Sequence, residues 1–233
     1  RLRPYAGRVR LFHSDFRNVP DLKIDLSRLR GVLLDLGMSS FQLDDPGRGF
    51  SFQAEGPLDM RMDFRNRTTA ARIIEKYSEH RLAELFRTFG ELKQATPLAR
   101  RVATLRKAAP IETTTALCRI VEEVCRWRPQ PGKIHPAAKV FQALRIEVNH
   151  ELAGLSELLE QMADLAPAGA RLVVISFHSL EDRAVKRTFL RLAARSDGGP
   201  SFRILTRKPV VAGEAPHELG ALRFFLQRQG RQL

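Results

Sequence analysis

Short apolar runs along the chain predict the strands of a sheet. Residues 31–36 (GVLLDL) and 170–177 (ARLVVISF) form apolar runs that are too short for helices, and such runs are typical of buried parallel strands. Residues 8–12 (RVRLF) alternate in character, which predicts another short strand. Two further strands near 202–208 and 221–227 are predicted to pair as a hairpin with a long connection.

Helical periodicity dominates the rest of the chain. Apolar side chains recur at helical spacing over 68–128, where the threonines at 113–115 can cap the later helix. The periodicity continues over 136–165, and Asn149 and Gly154 predict a bend or a break within this stretch. The middle of the chain is therefore predicted to be a set of helices lying between two strands.

This order of elements predicts an α/β sheet interrupted by a long helical excursion. Ligands bind such sheets at the carboxyl ends of the strands. Asp35 ends one apolar run, and the polar loop 178–182 follows another, ahead of a helix predicted over 182–195. These two segments are therefore predicted to be neighbours at one candidate site. The long loop 37–63, rich in Gly and Pro, is a predicted binding segment because loops of this length are usually functional or disordered.

Composition indicates a globular protein with a polyanionic partner. Hydrophobic residues make up 43% of the 233 residues, which is enough for a core, and 39 Lys and Arg against 26 Asp and Glu give a net charge of +13. This charge favours nucleic acid as the partner, with an anionic membrane surface as the second choice. No apolar run approaches the roughly 20 residues of a membrane span, and the N-terminus lacks the apolar core of a signal peptide. We therefore expect a soluble, cytoplasmic protein that does not enter a membrane.

Cysteine and histidine spacing does not predict a metal site. Cys118 and Cys125 lie two helical turns apart in an apolar stretch, so burial on one helix face explains both. His135 and His178 lack the spacing of metal ligands. His178 and Ser179 with the acids beside them do not predict a hydrolase, because catalytic triads are assembled from distant segments.

Four longer stretches carry a specific resemblance. Together they resemble the bacterial RsmH (MraW) family of ribosomal RNA small-subunit methyltransferases over most of the chain, although 68–133 matches only loosely. The stretches are LLDLGMSSFQLDDPGRGFSFQAEGPLDMRMD at 33–63, HPAAKVFQALRIEVNHEL at 135–152, ARLVVISFHSLEDRAVKR at 170–187 and LTRKP at 205–209.

The resemblance implies a fold and an activity. It implies a Rossmann-like class I methyltransferase sheet in two parts, 1–66 and 135–233, with a helical insertion domain over 67–134. It also implies transfer of a methyl group from S-adenosyl-L-methionine to the N4 amine of a cytidine in small-subunit (16S) ribosomal RNA. The alternative is a non-catalytic RNA-binding protein descended from such an enzyme.

Two segments depart from the pattern of the family. The family begins with a strand and a glycine-rich DGTxGxGGHS-type loop that holds the methionine end of the cofactor, followed by a second strand. Neither of these precedes residues 8–12, so we expect this chain to be a fragment that lacks the first strands of the sheet. At 215–223 the chain reads APHELGALR where the family usually has NPRxRSxxLR, which weakens any prediction of RNA contacts there.

The resemblance also implies residues for the cofactor and for catalysis. Phe16 would pack on the adenine, and Asp35 and Gln42 would contact the cofactor, while Asp35 or Ser39 could accept a hydrogen bond from the target amine. Each residue has a plainer interpretation as well. Phe16 could plug the edge of a core, Asp35 could cap a turn, and Gln42 could be a solvated loop residue.

Contacts with RNA are predicted from charge and position. Arg126 and Arg128 are predicted to contact phosphates, and His178 to border the pocket for the base. The alternatives are that the arginines lie on a solvated helix face and that Ser179 and Asp182 of the His178 loop cap the following helix. In the segment LDMRMD at 58–63, the methionines form either a hydrophobic latch or an RNA contact.

Overall fold

The chain folds into two compact units. One unit combines Arg1–Leu36 with Ala153–Leu233, and the other is Gly37–Leu152. Each unit has its own cluster of buried apolar side chains. In the part of the chain that is described, no helix is both long enough and apolar enough to cross a membrane. The computed structural model describes residues 3–195, 201–206, 210–211 and 222–229.

A mixed sheet forms the framework of the first unit. The strands run in the order β1-β2-β5-β3, and β4 also pairs with β5. β1 and β2 are parallel, whereas β5 is antiparallel to its partners. The strands are β1 (Gly31–Asp35), β2 (Arg171–Ser176), β3 (Phe202–Ile204), β4 (Val210–Val211) and β5 (Leu222–Arg228).

The sheet confirms most of the predicted strands. The apolar runs at 31–36 and 170–177 become β1 and β2, and β3 pairs with β5 as the predicted hairpin. The burial expected of both runs holds for β2 but not for β1, whose residues are exposed or half-buried. β3 ends at Ile204, earlier than predicted, and β4 was not predicted. Residues 207–209 and 212–221, which include most of the segment that departs from the family pattern, lie outside the described residues.

The strand predicted at 8–12 is wrong. Residues Arg3–Arg8 form a 3-10 helix, and another 3-10 helix begins at Phe16. The apolar side chains of the alternating pattern are not covered by any other part of the protein that is described, since Leu11 and Phe12 are 77% and 44% exposed. Without a buried face, alternation alone does not specify a strand.

The helices of the described residues follow the predicted periodicity. The stretch 136–165 divides into two helices, as Asn149 and Gly154 indicated, because His150 and Gly154 both adopt left-handed backbone angles between them. Thr113 caps α5 by accepting a hydrogen bond from the Ala116 N–H. The helices are α1 (Ser40–Asp44), α2 (Ala70–Lys76), α3 (Glu79–Thr88), α4 (Ala95–Leu105), α5 (Thr114–Cys125), α6 (Pro136–Asn149), α7 (Leu155–Leu165) and α8 (Ser179–Ala193).

The second unit is larger than the predicted insertion at 67–134. It also includes the loop that precedes α2 and the whole of α6. The reason is a shared core: Met60 from the loop and Leu144 from α6 are fully buried in the same cluster as Phe86 of α3 and Leu117 of α5. The burial of Met60 supports the interpretation of LDMRMD as a hydrophobic latch.

Two glycines allow this loop to fold back closely on itself. A Cβ on Gly49, whose φ is +70°, would lie 2.0 Å from the Pro57 carbonyl oxygen. A Cβ on Gly56 would lie 1.9 Å from the Pro46 carbonyl oxygen. Both contacts are with backbone, so only glycine fits at either position.

Asn149 fastens the latch to the end of α6. Its side-chain oxygen accepts a hydrogen bond from the Met62 N–H at 2.7 Å. Its amide nitrogen donates to the Met60 carbonyl at 2.8 Å and to the Arg145 carbonyl at 2.9 Å. One side chain therefore satisfies both an N–H and a carbonyl of the loop, which has no regular secondary structure to do so.

We predict that Asn149→Ala lowers the free energy of unfolding by roughly 1–3 kcal/mol, because partly buried backbone groups lose their partners. Denaturant unfolding of the protein measures the change. Gln53→Ala, at an exposed amide of the same unit, is the control and should stay within about 0.5 kcal/mol of the unsubstituted protein. Equal stability of the two variants would show that Asn149 does not hold the loop.

Candidate functional site

Asp35 lies where the parallel pair of strands ends. It is opposite Ile175 in the register of β1 and β2, and the N–H of Leu36 donates to the Ile175 carbonyl at 3.1 Å. The loop after β2 therefore follows directly beside Asp35, as the sequence predicted. The Asp35 carboxylate is exposed and accepts no hydrogen bond from the described residues. It is available to a ligand at the carboxyl end of the sheet.

His178 lies in the loop after β2 and caps the start of α8. Its Nδ1 accepts a hydrogen bond from the Glu181 N–H at 3.3 Å, and the Glu181 carboxylate accepts one from the Phe177 N–H at 2.8 Å. The alternative interpretation, in which Ser179 and Asp182 cap this helix, is wrong for the N-cap position, because the His178 imidazole occupies it. The His178 side chain is only 6% exposed, so its predicted contact with RNA stays a prediction.

Phe16 lies at the edge of the core of the first unit. Its ring is partly buried and packs against the apolar cluster around the sheet. The adjacent Arg17 guanidinium lies 5.9 Å from the centre of the ring and forms two hydrogen bonds to Asp15, at 2.6 and 2.8 Å. These hydrogen bonds raise the pKa of Arg17. The position agrees with the core-plug interpretation, and contact with an adenine stays a prediction.

Ser39 and Gln42 belong to the second unit, where they form a reciprocal cap at the start of α1. The Gln42 N–H donates to Ser39 Oγ at 3.4 Å, and the Ser39 N–H donates to Gln42 Oε1 at 3.0 Å. Ser39 Oγ also lies 3.3 Å from Gln42 Oε1. The S-x-x-Q spacing at 39–42 carries this signal, which the sequence reasoning overlooked. Their roles toward cofactor and amine stay predictions.

Arg126 and Arg128 are exposed on the segment between α5 and α6. Arg126 ends α5 in a left-handed conformation, with φ of 49° and ψ of 46°. Neither guanidinium is paired with an acid among the described residues. By contrast, Arg145 forms a two-point ion pair with the buried Glu151. The two exposed arginines therefore keep their charges available for an anionic partner.

The second unit also brings together a thiol, a carboxylate and an imidazole, which the sequence reasoning missed. Cys118 Sγ lies 3.7 Å from Glu122 Oε1, and His135 Nε2 lies 3.1 Å from the same oxygen. Burial raises the pKa of Cys118 to about 11, with help from the charge of Glu122. The predicted burial of Cys118 is confirmed, and Cys125 is partly buried against the same core. The Cys-x-x-x-Glu spacing was visible, but the approach of His135 depends on tertiary structure.

Comparison with known proteins identifies the family. A sequence profile described as the MraW methylase family matches residues 1–219. The chain belongs to the MraW methylase family. This confirms the resemblance, and the mixed sheet with its helices confirms the class I methyltransferase type of α/β fold.

Several relatives in the MraW methylase family are similar over most of this chain. The ribosomal RNA small subunit methyltransferase H of Desulfotalea psychrophila is 46% identical over 216 residues, which cover 92% of this chain and 71% of the relative. The protein of the same name from Syntrophotalea carbinolica is 42% identical over 228 residues, covering 92% and 72%. That of Thermomicrobium roseum is 45% identical over 219 residues, covering 88% and 67%.

We predict that His178→Ala in this MraW family member lowers the free energy of unfolding by about 1 kcal/mol beyond His178→Ser, because serine supplies another acceptor for the first turn of α8. Both substitutions remove the imidazole ring, so the difference between their free energies of unfolding measures the contribution of the cap alone. Thermal unfolding of the two variants measures it. Identical transitions would show that the Nδ1 contact does not stabilise the helix.

Proposed function

We propose that this protein is an S-adenosyl-L-methionine-dependent methyltransferase whose target is the N4 amine of a cytidine in small-subunit (16S) ribosomal RNA. The family match and the names of the relatives support methyl transfer to this class of RNA. The observation that carries the proposal is Asp35, an exposed and uncommitted carboxylate at the end of the parallel pair of strands. Sheets of this type bind ligands at that edge.

The chemistry of the available side chains fits S-adenosyl-L-methionine. This cofactor supplies a methyl group activated by a positively charged sulfur. The Asp35 carboxylate can accept hydrogen bonds from cofactor hydroxyl or amino groups, and the Phe16 ring offers an apolar face for a purine. Gln42 uses its oxygen in the α1 cap, but its amide N–H groups are not bonded to the described residues and can donate to a ligand.

Methylation of the N4 amine requires help from the protein. The lone pair of this nitrogen is delocalised into the cytosine ring, so the amine has to be held in place and one of its protons accepted. Asp35 or Ser39 is proposed as the acceptor, because a carboxylate or hydroxyl oxygen can hold the N–H. Positioning of the reacting groups supplies most of the rate acceleration in such a reaction.

Charge supports RNA as the substrate. The net charge of +13 attracts a polyanion from a distance, and Arg126 and Arg128 offer unpaired guanidinium groups to its phosphates. His178 is proposed to border the base at the edge of the sheet, in addition to capping α8. Phosphate contacts of this kind position the RNA, whereas contacts with the base select it.

Asp35→Ala should reduce methyl transfer at least about 100-fold, because a contact that positions reacting groups is lost. Transfer of labelled methyl to small ribosomal subunits measures the rate. Asp25→Ala is the control and should retain activity, because this exposed acid bonds to no described residue except the nearby Ser27. An Asp35→Ala protein as active as the control would contradict the assignment. RNA binding by the unsubstituted protein without any methyl transfer would favour the non-catalytic alternative.

Arg126→Glu and Arg128→Glu should each flatten the dependence of RNA affinity on salt by roughly one unit of the log-log slope, because each removes a phosphate contact. Binding titrations with small-subunit RNA at several salt concentrations measure the slope. Arg65→Glu makes the same charge change at an exposed arginine already paired with Asp63, so its slope should change less. If the slope changes equally in all three variants, net charge alone explains the effect, and Arg126 and Arg128 do not contact phosphates individually.

A further inference from the structure

The Cys118, Glu122 and His135 side chains converge at one place in the second unit. Their potential ligand atoms all lie within 4.8 Å of one another. We propose that these residues form a binding site for a divalent transition-metal ion of the zinc class. The site does not depend on the proposed methyltransferase function.

The distances suit a tetrahedral ion. Zinc lies about 2.3 Å from thiolate sulfur and about 2.0 Å from imidazole nitrogen or carboxylate oxygen, which places neighbouring ligand atoms about 3.3–3.5 Å apart. Cys118 Sγ and Glu122 Oε1 are 3.7 Å apart, and Glu122 Oε1 and His135 Nε2 are 3.1 Å apart. Shifts of a few tenths of an ångström bring these two pairs to the separations that an ion requires. The third pair, Cys118 Sγ and His135 Nε2, lies within 4.8 Å and closes further when both atoms bind one ion.

The surrounding structure holds the ligands in place. Cys118 and Glu122 are one helical turn apart on α5, so they project from the same face. The His135 ring stacks on Phe52 at 5.0 Å between centroids and meets the edge of Trp127 at 4.9 Å. These contacts restrict the orientation of the imidazole whose Nε2 faces Glu122, and ligands oriented in advance bind metal more tightly.

The ligand types select the class of metal. Thiolate and imidazole favour zinc, cobalt and related ions over magnesium or calcium, which prefer oxygen ligands alone. The Cys118 residue is 8% exposed, whereas the Glu122 side chain is 43% exposed. An ion can therefore enter from the Glu122 side, and three protein ligands leave one position for water.

Metal binding exchanges protons in a defined way. The Cys118 thiol loses its proton to solvent as the sulfur–metal bond forms. His135 Nδ1 accepts the Ala137 N–H at 3.1 Å, so the neutral ring carries its proton on Nε2. To bind through Nε2, the ring moves this proton to Nδ1 and gives up the bond to Ala137. One proton leaves in total, and the bonds to the metal offset the lost cap of α6, which is worth about 1 kcal/mol.

Cobalt titration of the metal-free protein tests the proposal. Co²⁺ bound to a thiolate produces a sulfur-to-metal charge-transfer band in the near ultraviolet, and Zn²⁺ should abolish the band by displacing one equivalent of cobalt. Cys118→Ser should eliminate the band. Cys125→Ser, on the same helix but outside the cluster, should retain it. No band in the unsubstituted protein, or an equal band in Cys118→Ser, overturns the proposal.

Two milder substitutions keep the test decisive if Cys118→Ser does not fold. Glu122→Gln alters a partly exposed side chain, and His135→Asn keeps an acceptor at the start of α6 while it removes the imidazole. Each should weaken zinc affinity at least about tenfold, as competition with a chromophoric chelator measures. Unchanged affinity in both variants contradicts the site, whatever the outcome of the methyl-transfer assays.

Discussion

The pairing of β2 along both of its edges is the constraint on which the first unit depends. β2 is parallel to β1 and antiparallel to β5, so it joins residues that are far apart in the sequence. Its buried Leu172 and Val174 also belong to the core to which α7 and α8 contribute. The parallel register places Asp35 opposite Ile175, at the end of the sheet where the loop leading into α8 begins.

Much of this framework could be predicted because burial leaves a direct mark on the sequence. The runs at 31–36 and 170–177 are mostly apolar, and Asn149 and Gly154 interrupt the regular spacing over 136–165. The run that forms β2 has the expected buried face, whereas β1 is not buried and its Leu33 is 64% exposed. The failure at 8–12 has the converse explanation: alternation indicates a strand only when another layer covers one face. The two-residue β4 is too short to carry a pattern and depends on pairing with β5.

The candidate site was only partly predictable. The position of Asp35 at a strand end could be predicted, since it depends on the order of elements along the chain. The helix caps were harder to predict, because several neighbouring polar side chains can each accept the same backbone N–H. At α8 an imidazole takes the place of the expected serine, and at α1 Ser39 and Gln42 cap each other's backbone. The meeting of Cys118 with His135 requires α5 and the start of α6 to pack together, which neither segment specifies alone.

The two close approaches at Gly49 and Gly56 limit how this protein can vary. The obstacles to a side chain are the backbone carbonyls of Pro57 and Pro46, which are present whatever residue occupies those positions. A substitution at either glycine therefore cannot be rescued by trimming a neighbouring side chain, as a crowded core can be. Evolution and engineering can replace this loop only as a whole, by a segment with a different path, and not one residue at a time.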